Sequence, residues 1–392
     1  MESLSEANTR FAHDLFQQLR KSEKENIFYS PLSISAALAM VYLGSRENTA
    51  LEIQKALHFN EVTEDTKGGA TTVHVEKSGN VHQQFQKLLT ELNKPTNAYE
   101  LHLANKIFAD ETFLFLQEYM DDVKKFYLAS VENVDFRNAA EESRQIINSW
   151  AESQTKGKIK EAFPQGSIGN ATVLLLVNAI YFKGQWNKKF DPELTKLDEF
   201  WVNKDTSKPV QMMKQRGVFN FTLLDDVPAK ILEIPYKDKD LSMVLLLPSE
   251  IDGLQQLEEK LTAEKLVEWT SSQSMSMRHV DLHLPRFKVA GSYRLQREMK
   301  ALGMVDAFSH DADLAGMTRG RGYELTDILH KSFVEVTEEG TEAAAVTGGM
   351  VGTTSVPFHE SFHCDRPFLF FIKHNKTNSV LFLGRVSSPS SP

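Results

Sequence analysis

Cysteine is nearly absent: Cys364 is the single one among 392 residues. No internal disulfide can form, so packing alone must hold the fold, which fits a reducing compartment. Long apolar runs are missing too. The longest, near 173–182 and 368–372, are far too short to span a bilayer. The amino terminus, Met-Glu-Ser-Leu-Ser-Glu-Ala-Asn-Thr-Arg-Phe, has neither a basic start nor an apolar core, so no cleavable signal peptide is expected. There is also no long basic run. A charge of −9, from 44 basic and 53 acidic residues mixed along the chain, argues against nucleic acid or a membrane surface as partner. A cytoplasmic protein is the expectation, with release by a route that needs no signal peptide left open. Sequons at Asn170, Asn220 and Asn375 matter only on a secretory route.

Catalytic motifs are lacking as well. No G-x-S-x-G, G-x-x-x-x-G-K or G-x-G-x-x-G occurs. His279, Asp281 and His283 alternate along one predicted strand and could converge on a metal. A polar sheet face is the simpler reading, because nothing else in the sequence supports a site, and no metal or cofactor is expected. Cys364 sits between Phe362 and Phe368 in a strand pattern, which favours a buried, inert thiol over a nucleophile. The chain does not read as an enzyme.

What is present is an ordinary globular composition, 41% apolar, with enough length for a large core. No internal repeat and no composition break divides it; residues 60–80, polar and Gly/Thr-rich, read as a long loop. Ala7, Phe11, Leu15 and Leu19 recur at helical spacing over 5–20. Ser30-Pro31 starts a second helix, with Ile34, Ala37, Leu38 and Val41 on its buried face. Residues 81–93, 116–128 and 142–163 also have helical character, the last ended by Pro164. From 171 the pattern turns to strand. Val173 to Phe182 is nearly continuous in apolar residues, as expected of a strand covered on both faces. Further strands are read at 209–214, 217–223, 229–235, 241–248, 279–289, 333–337 and 366–386, with helices around 253–269 and 293–302. Helices first and strands later predict an α+β fold with large, mostly antiparallel sheets.

Residues 333–357 stand apart. Phe333, Glu335 and Thr337 point one way and Val334 and Val336 the other, as in a strand. After Gly340 the aromatic residues stop, and Glu342 is the one charge up to Thr354. Such a stretch has little to anchor it in a core and should run exposed. When extended, it would place Thr341, Ala343, Ala345 and Thr347 on one small, uncharged face, with Glu342 opposite. It could therefore enter a crowded sheet as an extra strand without burying a charge. The alternative is a small-residue surface loop with a single state.

Resemblance adds to this reading. Glu338-Glu339-Gly340-Thr341-Glu342-Ala343-Ala344-Ala345 resembles the hinge of an inhibitory serpin, and Phe362-His363-Cys364-Asp365-Arg366-Pro367-Phe368 resembles that family's carboxy-terminal signature. Collinear matches run through Asn26 to Ser35, Val177 to Trp186, His283 to Phe287, Ala312 to Met317 and Leu329 to Lys331. Within the family the chain looks like the intracellular ovalbumin-type group, with its squamous cell carcinoma antigen branch.

The resemblance implies one serpin domain over 1–392, with helices around large sheets and a reactive-centre loop at about 340–361. It implies a monomeric suicide inhibitor whose partners are target proteases, each trapped as a covalent acyl-enzyme. Glu338, Gly340, Thr341, Ala343, Ala344 and Ala345 would be the hinge. Ser30, Ser33, Asn178 and His330 match a buried polar cluster beneath the sheet; from the residues alone they read as helix caps and a satisfied core histidine. Trp186 and Arg286, with Glu338, match the point where insertion starts, and Arg286 and Glu338 carry opposite charges that could pair there. The family's spacing from Gly340 puts the reactive bond at Thr354–Ser355. A small Thr there suits a protease with a shallow primary pocket and not a trypsin-like one. The other register, Gly352–Thr353 with Val351 setting specificity, would suit papain-like cysteine proteases. The rival within the family is a non-inhibitory binding or chaperone-like serpin, in which charged or bulky residues commonly stand where this chain has Thr341, Ala343 and Ala345.

Overall fold

A computed structural model describes residues 2–63, 73–340 and 357–390. Its strands are β1 (Ile27–Tyr29), β2 (Tyr99–Asp110), β3 (Ser130–Val134), β4 (Leu174–Gly184), β5 (Lys196–Trp201), β6 (Ser207–Leu223) and β7 (Ala229–Pro235). They continue with β8 (Leu241–Pro248), β9 (Ser276–Pro285), β10 (Phe287–Arg294), β11 (Leu325–Val336), β12 (Glu360–His363), β13 (Phe368–His374) and β14 (Ser379–Val386). Helices α1 (Glu2–Ser22) and α2 (Pro31–Gly44) open the chain, and shorter helices connect the strands.

Two sheets result. The larger runs β1-β14-β13-β8-β7-β6-β9-β12, with β5 on β6, and the smaller runs β10-β11-β4-β2-β3. Pairing is antiparallel except at β4–β11, β2–β3 and β9–β12. The smaller sheet is covered on both faces. Beneath it lies the main core, where α2 is buried almost all round. Above part of it, helix Ala140–Gln154 brings Ile147 and Ala151 onto Phe108, Val177, Ala179 and Leu329. Double coverage is why β4 needs its near-continuous apolar sequence.

Several sequence expectations are corrected. The helix read over 142–163 stops at Gln154, well before Pro164. Lys156 and Gly157 turn left-handed there, and the Gly157 N–H donates to the Glu152 carbonyl at 2.8 Å, closing the helix end. Residues 209–223 form one strand, not two. Residues 279–289 fall into β9 and β10, which part at Arg286. The 366–386 segment turns back after His374, with Asn378 left-handed. The strand ending at Val336 begins as early as Leu325. A helix starts at Val73, inside the stretch read as a long loop.

Candidate functional site

β4 and β11 are adjacent inner strands of the smaller sheet, and they lie parallel, from Leu174 opposite Leu325 to Lys183 opposite Glu335. Both have antiparallel partners on their other sides. A polar row crosses this seam. In register from β10 to β2 stand Tyr293, His330, Asn178 and Asn105. Tyr293 stacks on the His330 ring. His330 and Asn178 are fully buried, so each polar atom needs a partner.

Those partners come largely from the start of α2. Ser30 caps the helix, accepting from the Ser33 N–H at 3.2 Å and donating through Oγ to the Leu381 carbonyl at 2.6 Å. The Ser30 N–H donates to His330 Nε2 at 3.1 Å, so that nitrogen carries no proton. Nδ1 then holds the hydrogen and donates it to Asn178 Oδ1. The Asn178 amide donates to Ser33 Oγ and to Asn105 Oδ1. Burial pulls the His330 pKa down to about 3, which keeps it in the neutral form this network requires. The structure thus brings Ser30, Ser33, Asn178 and His330 together. Sequence reasoning missed Asn105, whose only clue is its register opposite Asn178.

At the top of the seam the chain leaving β11 runs beside the chain leaving β4. The Trp186 N–H donates to the Glu339 carbonyl and the Phe190 N–H to the Glu338 carbonyl, both at 3.0 Å. The buried indole of Trp186 donates to the Thr337 carbonyl at 2.7 Å and stacks on Tyr236. Gly340 closes this contact: a Cβ there would stand 2.6 Å from the Trp186 carbonyl oxygen. The Glu338 carboxylate accepts from Thr195 Oγ1 at 2.8 Å and lies 3.4 Å from Arg286 Nε, an ion pair without an aligned hydrogen bond. Lys183 reaches Glu339 at 3.1 Å. Beside them is an open groove of about 460 Å³ lined by Phe190, Pro192, Arg286 and Thr337 to Gly340.

Thr341, Ala343, Ala344 and Ala345, and the reactive-bond candidates Val351, Gly352, Thr353, Thr354 and Ser355, lie outside the described residues. The chain is described again from Pro357, and β12 pairs with β9 at the edge of the larger sheet. Cys364 is buried, and burial pushes its thiol pKa up, as an inert cysteine requires. Asp281 and His283 do not gather with His279. They gather with His363 of β12, while His279 packs on His359.

The chain belongs to the serpin family: the model described as Serpin (serine protease inhibitor) matches residues 6–389. Serpin B3 of Homo sapiens is 65% identical over 391 residues, covering 99% of this chain and all of its own length. A relative named leukocyte elastase inhibitor, from Sus scrofa, is 46% identical over 99% of this chain and 100% of its own. Among solved structures, uncleaved ovalbumin superposes with a TM-score of 0.88 at 38% identity, covering 99% of this chain and 100% of that one. The fold is the serpin fold, and relatives of this chain carry the names of protease inhibitors. Among the described residues no helix is long and apolar enough to cross a membrane.

Proposed function

We propose that this protein is a suicide-substrate protease inhibitor, a cytoplasmic monomer acting as one domain and not an enzyme in its own right. The observation that carries the reading is the parallel β4–β11 seam, with the chain leaving its top at Gly340. A segment that folds back from the end of β11 runs opposite to β11, and therefore opposite to β4 as well. Entering between them, it exchanges one parallel ladder for two antiparallel ones, the slightly stronger kind per residue. About ten additional backbone hydrogen bonds, at roughly 1 kcal/mol net each, give on the order of 10 kcal/mol to drive the step. Serpin loop insertion is a known form of strand addition.

In the proposed sequence the target's nucleophilic hydroxyl or thiol attacks the carbonyl of the residue before the reactive bond. The following residue leaves as a free amine, and an acyl-enzyme remains. Insertion of Thr341, Ala343 and Ala345 side first then carries the enzyme away before water can release it. Thr354–Ser355 is the reactive bond for a serine protease with a shallow primary pocket. Gly352–Thr353, with Val351 before it, is the bond for a papain-like cysteine protease. The test is a screen across both protease classes for complexes that survive denaturing detergent, with mass spectrometry of the released carboxy-terminal peptide. A peptide beginning at Ser355 or Thr353 assigns the register. Clean cleavage without any stable complex would instead favour the non-inhibitory reading.

A further inference from the structure

We propose that Asp281, His283 and His363 form a site for a divalent transition-metal cation of the zinc class, clipping the edge strand β12 to β9. The placement follows from strand geometry. Asp281 and His283 are two apart on β9 and so share a face, and the parallel register sets His363 directly opposite His283. His363 Nε2 stands 3.2 Å from Asp281 Oδ2, and His283 Nε2 stands 3.6 Å from the same oxygen. All three donor atoms lie within 4.8 Å of one another. A tetrahedral ion with bonds of about 2.0–2.1 Å holds its ligands about 3.3 Å apart, so the spacing needs only small side-chain rotations. The two imidazoles are now stacked, centroids 3.7 Å apart and 9° from parallel. They must splay for their lone pairs to converge.

The surroundings shape selectivity. Arg216 Nε is 3.7 Å from Asp281 Oδ1, but its side chain is two-thirds exposed and free to swing aside. Lys196 and Lys214 line the open pocket of about 430 Å³ next to the cluster, which gives water access to a fourth coordination position. Nearby positive charge weakens any dication. Two imidazoles offset this for zinc-like ions and not for magnesium or calcium, which prefer oxygen.

The structural consequence falls on β12. It is four residues long, lies at a sheet edge and is the first strand after the 340–357 segment. A metal tie there fixes the downstream anchor of that segment whether or not the protein traps proteases.

Metal-stripped full-length protein titrated with Zn²⁺ in a calorimeter is expected to bind one ion per chain, and Co²⁺ is expected to give the visible absorption of a four-coordinate nitrogen–oxygen site. His283→Gln and His363→Gln should each weaken Zn²⁺ binding at least about tenfold, and His279→Gln should leave it unchanged. Zn²⁺ should also slow exchange of the Cys364 amide, which donates to the His283 carbonyl at 2.8 Å, in the unmodified protein but not in His363→Gln. If either histidine variant fails to fold, the near-isosteric Asp281→Asn takes its place. Absence of the Co²⁺ spectrum, or Zn²⁺ affinity unaltered by the cluster variants, overturns the proposal, as does equal loss in His279→Gln.

Discussion

Asn178→Ala tests whether the β4–β11 seam is where a strand enters. The substitution removes the acceptor for His330 Nδ1–H and the donors to Ser33 Oγ and Asn105 Oδ1, all buried. Each orphaned group costs roughly 1–3 kcal/mol, and a water taken into the vacated space can recover part, so the intact protein should lose about 3–6 kcal/mol. If a strand enters between β4 and β11 after cleavage, the two stand apart and the His330–Asn178 bond is already absent in the cleaved parent. There the same change orphans one group fewer, and the loss should be smaller by about 1–3 kcal/mol. The assay is urea unfolding of intact and loop-nicked protein, parent and variant. The nicked parent itself should unfold at higher denaturant than the intact parent. Ser332→Ala is the control: Ser332 donates to the Phe28 carbonyl on one side of the seam only, so both forms should suffer alike. Equal losses from Asn178→Ala in the two forms would refute strand entry at this seam.

Thr341→Arg should turn the inhibitor into a substrate, because the first inserted side chain would bring an unpaired charge into the sheet; a delay of about 1.4 kcal/mol already shifts the race against deacylation tenfold. The stoichiometry of inhibition reads this out, with Thr341→Ser as control, and an unchanged stoichiometry would count against hinge insertion. Gly340→Ala should push the chain off Trp186, since its Cβ would meet the Trp186 carbonyl oxygen at 2.6 Å; quenching of tryptophan emission by acrylamide should rise, and an unaltered value would mean the contact survives. Acid should destabilise the protein well before its carboxylates titrate. Burial lowers His82 and His330 from 6.5 to about 3, so the unfolded chain binds protons more tightly, and stability is full above pH 6.5 and lost as pH falls toward 3. Between pH 6.5 and about 4.5 the two together should remove on the order of 5 kcal/mol, measured as a falling urea midpoint; a flat profile would show that both are accessible to solvent, and a fall of about half that size that one is.

Much of this was legible in the sequence where one physical cause dominates. The run from Val173 to Phe182 had to be doubly covered, and it is β4. Ser30-Pro31 had to start a helix, and it does. β2 was not legible: Glu100, His102, Asn105 and Lys106 interrupt its apolar residues, and only pairing with β4 and β3 makes a strand of it. The helix end at Gln154 was hidden because Lys156 gives no sign of adopting a left-handed turn. Asn105 and His363 were missed for a common reason. Each acquires meaning from the residue opposite it on another strand, and register across sheets cannot be read from neighbours in the chain. The loop's small-residue face, by contrast, was conspicuous because from Ala343 to Thr354 the sequence has neither an aromatic residue nor a charge.

The position of β14 has a bearing on how the chain can be made. It lies between β1 and β13, and Arg385, near its end, donates to the Glu23 carbonyl 362 positions earlier. The same guanidinium meets Glu258 in a buried ion pair. Nothing synthesised before β14 can complete the larger sheet, so β1 must wait until β14 has been made. Contacts this distant in sequence make for slow folding. During that wait the apolar faces of β4, β8 and β13 are open to other chains, and a truncation that removes β14 should produce aggregation in place of a smaller folded protein.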